Sequence, residues 1–218
     1  EKGEEYGKKE KIYIAGVDVS VLSERRQFLD ANGKLITTAI YNHTKEPVEV
    51  KKGDYVVYML RVYNESEIDG YAAEIKDHLP LYLEFVENEF NEQYGWAYDA
   101  SDDERTISTT YLANTLINKA TKNADGEIVL TYKEVPIMCK VTDDAITGEK
   151  ITNIADITKY LDDQKEPVND RDSVENNVVL PSEEQLPSYK DDETGEYIPG
   201  QEDDDDFEKV IIKKFDLA

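Results

Sequence analysis

The run Tyr55-Val56-Val57-Tyr58-Met59-Leu60-Arg61-Val62-Tyr63 decides how this sequence folds. Its residues alternate: Val56, Tyr58, Leu60 and Val62 share one face, while Tyr55, Val57, Met59, Arg61 and Tyr63 share the other, a period of two that belongs to a β-strand. The turn signal Lys52-Gly53-Asp54 stands immediately before it. Working outward, the same parity recurs at Val135, Ile137, Cys139 and Val141 and at Ile151, Asn153, Ala155 and Ile157, and a β-branched segment occupies residues 12–21. Ile68-Asp69-Gly70, Ala124-Asp125-Gly126 and Thr147-Gly148 punctuate these runs. Short strands, frequent turns and no long 3.6-residue period predict an all-β sandwich. The helical candidates are short, at residues 23–29 and 112–119.

Charge divides the chain. Its 218 residues hold 25 Lys plus Arg against 49 Asp plus Glu, a net charge of −24. That balance argues against nucleic acid and anionic membrane as partners, since affinity for phosphates is carried by Lys and Arg. Between residues 162 and 206, 17 acidic residues face only Lys165, Arg171 and Lys190, in a stretch that also contains Pro167, Pro181, Pro187 and Pro199. Such a composition predicts a connector or an ion-binding segment in place of core. Asp170, Asp172 and Asn177, with Asp203, Asp204 and Asp205, supply the hard oxygens that Ca²⁺ takes in sets of about six to eight; the plainer reading is a solvated acidic linker. Beyond it, Phe207-Glu208-Lys209-Val210-Ile211-Ile212-Lys213-Lys214-Phe215 reads as a strand again. The expected organisation is therefore a sandwich over residues 1–160, with room for an extra strand and loop in 1–45, an acidic connector over 161–206 and a C-terminal strand over 207–218. That last strand, through Val210, Ile211, Ile212 and Phe215, either pairs in its own sheet or completes the sheet of a neighbouring copy. No apolar run reaches the roughly 18 residues of a membrane span, and the first residues lack a signal-peptide stretch, which predicts a cytosolic chain or a segment of something longer.

Two polar residues fall on apolar faces. Asp77 shares its face with Tyr71, Ala73, Ile75 and Leu79, and Asn153 with Ile151, Ala155 and Ile157. Burying either unsatisfied costs a few kcal/mol, about 1–3 by mutational measures, so each needs a partner. Two readings stand: Asp77 caps a turn before Pro80 while Asn153 bonds to backbone at a bulge, or an acid and an amide are poised for an intramolecular Lys–Asn isopeptide crosslink. Signatures of turnover chemistry are lacking. With only His43 and His78, no HExxH and no Gly-rich phosphate loop, the chain is not expected to be an enzyme. The single Cys139 forbids an intrachain disulfide and is expected to pack as a small hydrophobe. Tyr94, Trp96 and Tyr98 are the candidate contact for a glycan or a protein, against ordinary edge packing.

Several phrases in order resemble a known family. Val50-Lys51-Lys52-Gly53-Asp54-Tyr55-Val56-Val57-Tyr58, Arg61-Val62-Tyr63-Asn64, Ile75-Lys76-Asp77-His78-Leu79-Pro80, Leu83-Glu84-Phe85-Val86 and Ile151-Thr152-Asn153-Ile154-Ala155 are similar to the Ig-like repeat domains of Gram-positive cell-surface proteins, the isopeptide-forming fimbrial and adhesin repeats. The resemblance covers about residues 45–158. It implies an Ig-like sandwich, an extracellular location on a bacterial surface, and a role as spacer or fibre subunit joined to neighbouring copies, or as an adhesin domain for a glycan or host protein. Carried over by motif, Asp77 stands at the family's acid position and Asn153 at its acceptor position. The family's lysine lies on the first strand, where Lys11 is the candidate and Lys8 and Lys9 are its neighbours. Phe215-Asp216-Leu217-Ala218 is similar to the phrase that opens a following repeat.

Overall fold

The computed structural model describes residues 9–14, 27–29, 35–39, 47–64, 66–99, 105–126, 128–168, 178 and 205–214, with backbone alone for 9–14, 27–29, 35–39, 128 and 205. In chain order the elements are β1 (Lys9–Ile14), β2 (Gln27–Leu29), β3 (Leu35–Ala39), β4 (Val48–Val50), β5 (Tyr55–Asn64), β6 (Gly70–His78) and β7 (Leu83–Phe85). A short helix α1 (Glu89–Gln93) follows, then β8 (Ala97–Tyr98), β9 (Thr106–Thr109), β10 (Thr121–Lys122), β11 (Ile128–Val129), β12 (Thr131–Val141), β13 (Lys150–Asp162), β14 (Pro167–Val168) and β15 (Asp205–Ile212). One sheet runs β2-β3-β1-β5-β12-β7 and the other β4-β15-β13-β6-β9-β8, with β14 on β13 and a small β10-β11 hairpin apart. The result is a mostly-β, sandwich-like domain.

Alternation decides which side chains meet between the sheets. Val56, Tyr58, Leu60 and Val62 of β5, Val135, Ile137, Cys139 and Val141 of β12, and Ile151, Ala155 and Ile157 of β13 all enter one core, joined by Val210 and Ile212 of β15. Each large aliphatic side chain so buried contributes about 1.5–3 kcal/mol. The opposite face of β5 is covered as well. Val57 and Met59 pack with Met138 and with Phe90 of α1, so the helix acts as a lid on the outer side of its sheet. Asn88 caps α1 by accepting a hydrogen bond from the Asn91 N–H.

Some expectations change. Residues 27–29 form strand β2, paired with β3, where a helix was expected. Residues 112–119 form no helix: turns, with Ala113 N–H donating to Thr110 O and Thr115 N–H to Leu112 O, lead into an isolated antiparallel bridge of Ile117 with Gly70, and Leu112 and Ile117 both enter the core. The helix that does form, α1, has no long period to announce it. β13 continues to Asp162, and β15 begins at Asp205, two residues before the expected strand. That strand sits inside its own sheet, antiparallel to β13 and parallel to β4.

The sandwich has two ends. At the first, Gly53 N–H donates to Val141 O, Thr142 N–H to Tyr82 O, Gly148 N–H to Ile212 O and Lys213 N–H to Val50 O, which gathers the loops around 51–54, 80–82, 142–149 and 213–214. Gly148 has φ +84°, a backbone conformation that favours glycine. At the second end, Asn64 Nδ2 donates to Ile68 O and Ile117 O, and Ala120 N–H to Ser66 O. Lys9 lies opposite Arg61 and Ile14 opposite Val56, so β1 runs from the second end to the first. β15 runs the same way and finishes beside Lys150 at the first end.

Candidate functional site

The polar residues that the alternation singles out meet inside the apolar core. Asp77 on β6 lies opposite Ala155 of β13, which sets it diagonal to Asn153. Both side chains are fully buried, and Asn153 Nδ2 donates to Asp77 Oδ2 at 2.8 Å. Their surroundings are the aliphatic side chains of Ile75, Ile151 and Ile157. No donor among the described residues reaches Asn153 Oδ1, and an unsatisfied buried carbonyl costs about 1–3 kcal/mol. The turn-cap and bulge alternative does not describe this arrangement: the hydrogen bond joins two strands across the sheet, side chain to side chain.

β15 adds two acids to the same row. Glu208 is the register partner of Asn153, and Asp206 that of Ala155; both are buried. Register partners point to one side of a sheet about 4.5–5.5 Å apart at Cβ. Asn153 is therefore flanked by Asp77 on one neighbouring strand and Glu208 on the other. Phe207 N–H donates to Asp206 Oδ1 at 2.9 Å. The sequence carried a signal for these acids, since Asp206, Glu208, Val210 and Ile212 share one parity, but the acidic run before them obscures it.

Lys11 occupies a different place. Its register partner on β5 is Met59, a residue of the outer cluster, while Ile12 is the partner of the core residue Tyr58. Lys9 has the parity of Lys11, and Lys8 lies outside the described residues. Of the assembly strand, Val210 and Ile212 are buried in the core and Ile211 is half-buried, while Phe215 is outside the described residues. Asp170, Asp172, Asn177, Asp203 and Asp204 are also outside them, and Asp205 begins β15 opposite Asp156. Among the described residues no group of three or more His, Cys, Asp or Glu is arranged to hold a metal ion.

The aromatic trio does not form one surface. Trp96 is buried and its indole N–H donates to Pro136 O at 2.8 Å. Tyr94 packs between Phe90 (tilted) and Tyr111 (edge-on), with ring centroids at 5.5 and 5.1 Å, and burial raises the pKa of its phenol, helped by Tyr111. Only Tyr98 is exposed, at 47%, lying edge-on to Phe85. Cys139 is buried in the core, as its parity required.

On the outer face of the second sheet, His78 Nε2 lies 3.0 Å from Asp156 Oδ1, and Lys76 Nζ 2.9 Å from Asp99 Oδ2. Val178 packs on Ile154 and Phe207 there, which brings one residue of the acidic stretch against the sheet. A scan against protein-family models and a search of the curated proteins both found no match to this chain.

Proposed function

We propose that this chain is a structural module of a bacterial cell surface: an Ig-like spacer or fibre subunit, joined end to end with neighbouring copies and reinforced by a bond formed in its own core. It turns over no substrate. The observation that carries the reading is the buried Asn153–Asp77 hydrogen bond, together with an Asn153 Oδ1 that no donor among the described residues reaches. A carboxamide so placed costs stability unless it is used, and the proposed use is covalent. A neutral lysine amine attacks Asn153 Cγ, the new amide bond forms, the C–N bond to the side-chain nitrogen breaks, and ammonia leaves with the amine proton. Asp77, hydrogen-bonded to the carboxamide, is placed to carry that proton. The direction of the strands also supports a serial role, because β1 and β15 both run towards the first end.

Intact mass tests this directly. The purified chain is expected to weigh about 17 Da less than its sequence, and Asn153→Ala to show the full mass. Peptide mapping then names the lysine joined to Asn153. Lys11 is the candidate by resemblance, and its register opposite Met59 is the argument for another lysine. A full-length mass without the deficit removes the crosslink. The adhesin reading has less support, since Trp96 belongs to the core and Tyr94 is half-buried.

A further inference from the structure

Asn153 has an acid on each side. Asp77 on β6 accepts from its Nδ2 at 2.8 Å, and Glu208 on β15 is its register partner, 1% exposed and of the same parity as the core residues Val210 and Ile212. Cβ atoms of register partners stand about 4.5–5.5 Å apart, a gap that a glutamate side chain spans. The two ends of the carboxamide are served unequally. Nδ2 has its acceptor in Asp77, while no donor among the described residues reaches the buried Oδ1. A carboxylate cannot supply that donor; a carboxylic acid can.

Electrostatics decides which acid is which. Asp77 accepts an N–H from Asn153, which favours its charged form. A second carboxylate charge on the far side of the same side chain, in a core lined by Ile75, Ile151 and Ile157, is repelled by the first and poorly solvated. Asp206, buried two residues back on the same side of β15, adds to that repulsion. The acid opposite Asp77 therefore favours its neutral form. A pair of acids whose surroundings hold one ionised and the other protonated divides the work: the first moves a proton and the second donates a hydrogen bond.

We infer that Glu208 is the second acid of the bond-forming site: its neutral carboxyl donates to Asn153 Oδ1 and steadies the negative charge that gathers there when a lysine attacks Cγ. This role rests on the proposed crosslink and gives it a named hydrogen-bond donor. The lysine Nζ–Cγ bond forms as the C=O π pair moves onto Oδ1, and the pair returns as the Cγ–Nδ2 bond breaks. The amine proton passes through Asp77 to the leaving ammonia, while Glu208 keeps its own proton throughout. A consequence is order. β15 reaches the sheet from far along the chain, so the site is complete only when that strand has paired with β13, and the bond closes on a finished sandwich.

The test follows bond formation in the full-length chain freshly made by cell-free translation: samples are quenched in acid at intervals, and intact mass gives the fraction that has lost about 17 Da. Glu208→Met keeps the length of the side chain, removes the donor and takes an acid out of an apolar core. It is expected to melt cooperatively and to form the bond about 100-fold more slowly, the effect of losing one such donor. Glu208→Gln, whose amide N–H still donates, is expected to form it at a rate near that of the unsubstituted chain. A Met variant as fast as the unsubstituted chain, or a Gln variant as slow as the Met variant, overturns the role of Glu208 and leaves the crosslink standing. Loss of the cooperative transition in Glu208→Met means that the acid serves the fold, and overturns it too. An unsubstituted chain that never shows the mass loss removes the crosslink itself, and the part of Glu208 with it.

Discussion

Asn91 does at one position what a strand does along its length. Its Oδ1 accepts from Met138 N–H at 2.8 Å, and its Nδ2 donates to Met138 O at 2.8 Å and Val86 O at 2.6 Å, from a side chain that is itself fully buried. β7 is only three residues long, and this carboxamide continues the pairing of β12 just past its end. Asn91→Ala strands backbone groups of Met138 away from water, so we expect a loss of about 2–4 kcal/mol, seen as a lower urea midpoint with unchanged slope. An effect under about 0.5 kcal/mol is the size of an ordinary surface change and contradicts this role. Asn153 and Asn91 are chemically alike yet unequally legible. Asn153 stands in a strand whose parity exposes it as out of place, whereas Asn91 follows no repeating pattern, and its partner Met138 is 47 residues away in sequence. Glu208 and Asp206 lie between these cases: composition assigned Asp206 to a linker, and only the parity they share with Val210 reveals their burial.

Among the elements, β15 carries the most consequence for its length. It lies between β13 and β4, and its Val210 and Ile212 complete the core from a position far along the chain. Val210→Asp puts an uncompensated carboxylate opposite Ile151, and we expect loss of the cooperative thermal transition, while Ile211→Thr, half-buried on the other face, should shift it only slightly. Equal effects from the two substitutions would mean that β15 does not belong to the core. The long strands β5, β12 and β13 were legible because the alternations over residues 55–63, 135–141 and 151–157 have one reading; past Ile157 a register shift breaks the pattern of β13. Where apolar residues are few, local pattern gave way to tertiary context: residues 112–119 carry a helix-like spacing, but a turn and the bridge of Ile117 to Gly70 place Leu112 and Ile117 in the core instead. The strands at 27–29 and 35–39 are made by pairing with each other and with β1, a fact no local pattern contains.

For the molecule as a whole, the net charge of −24 sets a background of self-repulsion that every favourable contact must exceed. Raising NaCl from about 0.01 M to about 1 M shortens the Debye length from roughly 30 to 3 Å, and we expect the melting temperature to rise by about 3 °C, near 1 kcal/mol for a chain of this size. A fall would show that the exposed ion pairs, such as Lys140–Glu84 at 3.0 Å and Lys213–Glu49 at 3.0 Å, outweigh that repulsion. The acidity was legible from composition, but the burial of Asp156 on the outer face of its sheet needed the fold, since the strands on either side of it come from distant parts of the sequence. The directions of β1 and β15 have a mechanical consequence. Tension drawn in opposite senses through these two strands slides each lengthwise past its neighbours, so the rungs of each ladder share the load and rupture together instead of peeling one by one. Resistance of that kind is a matter of how slowly the molecule yields and not of its equilibrium stability, and a covalent rung at Asn153 would hold the sheets together after the hydrogen-bonded ones had given way.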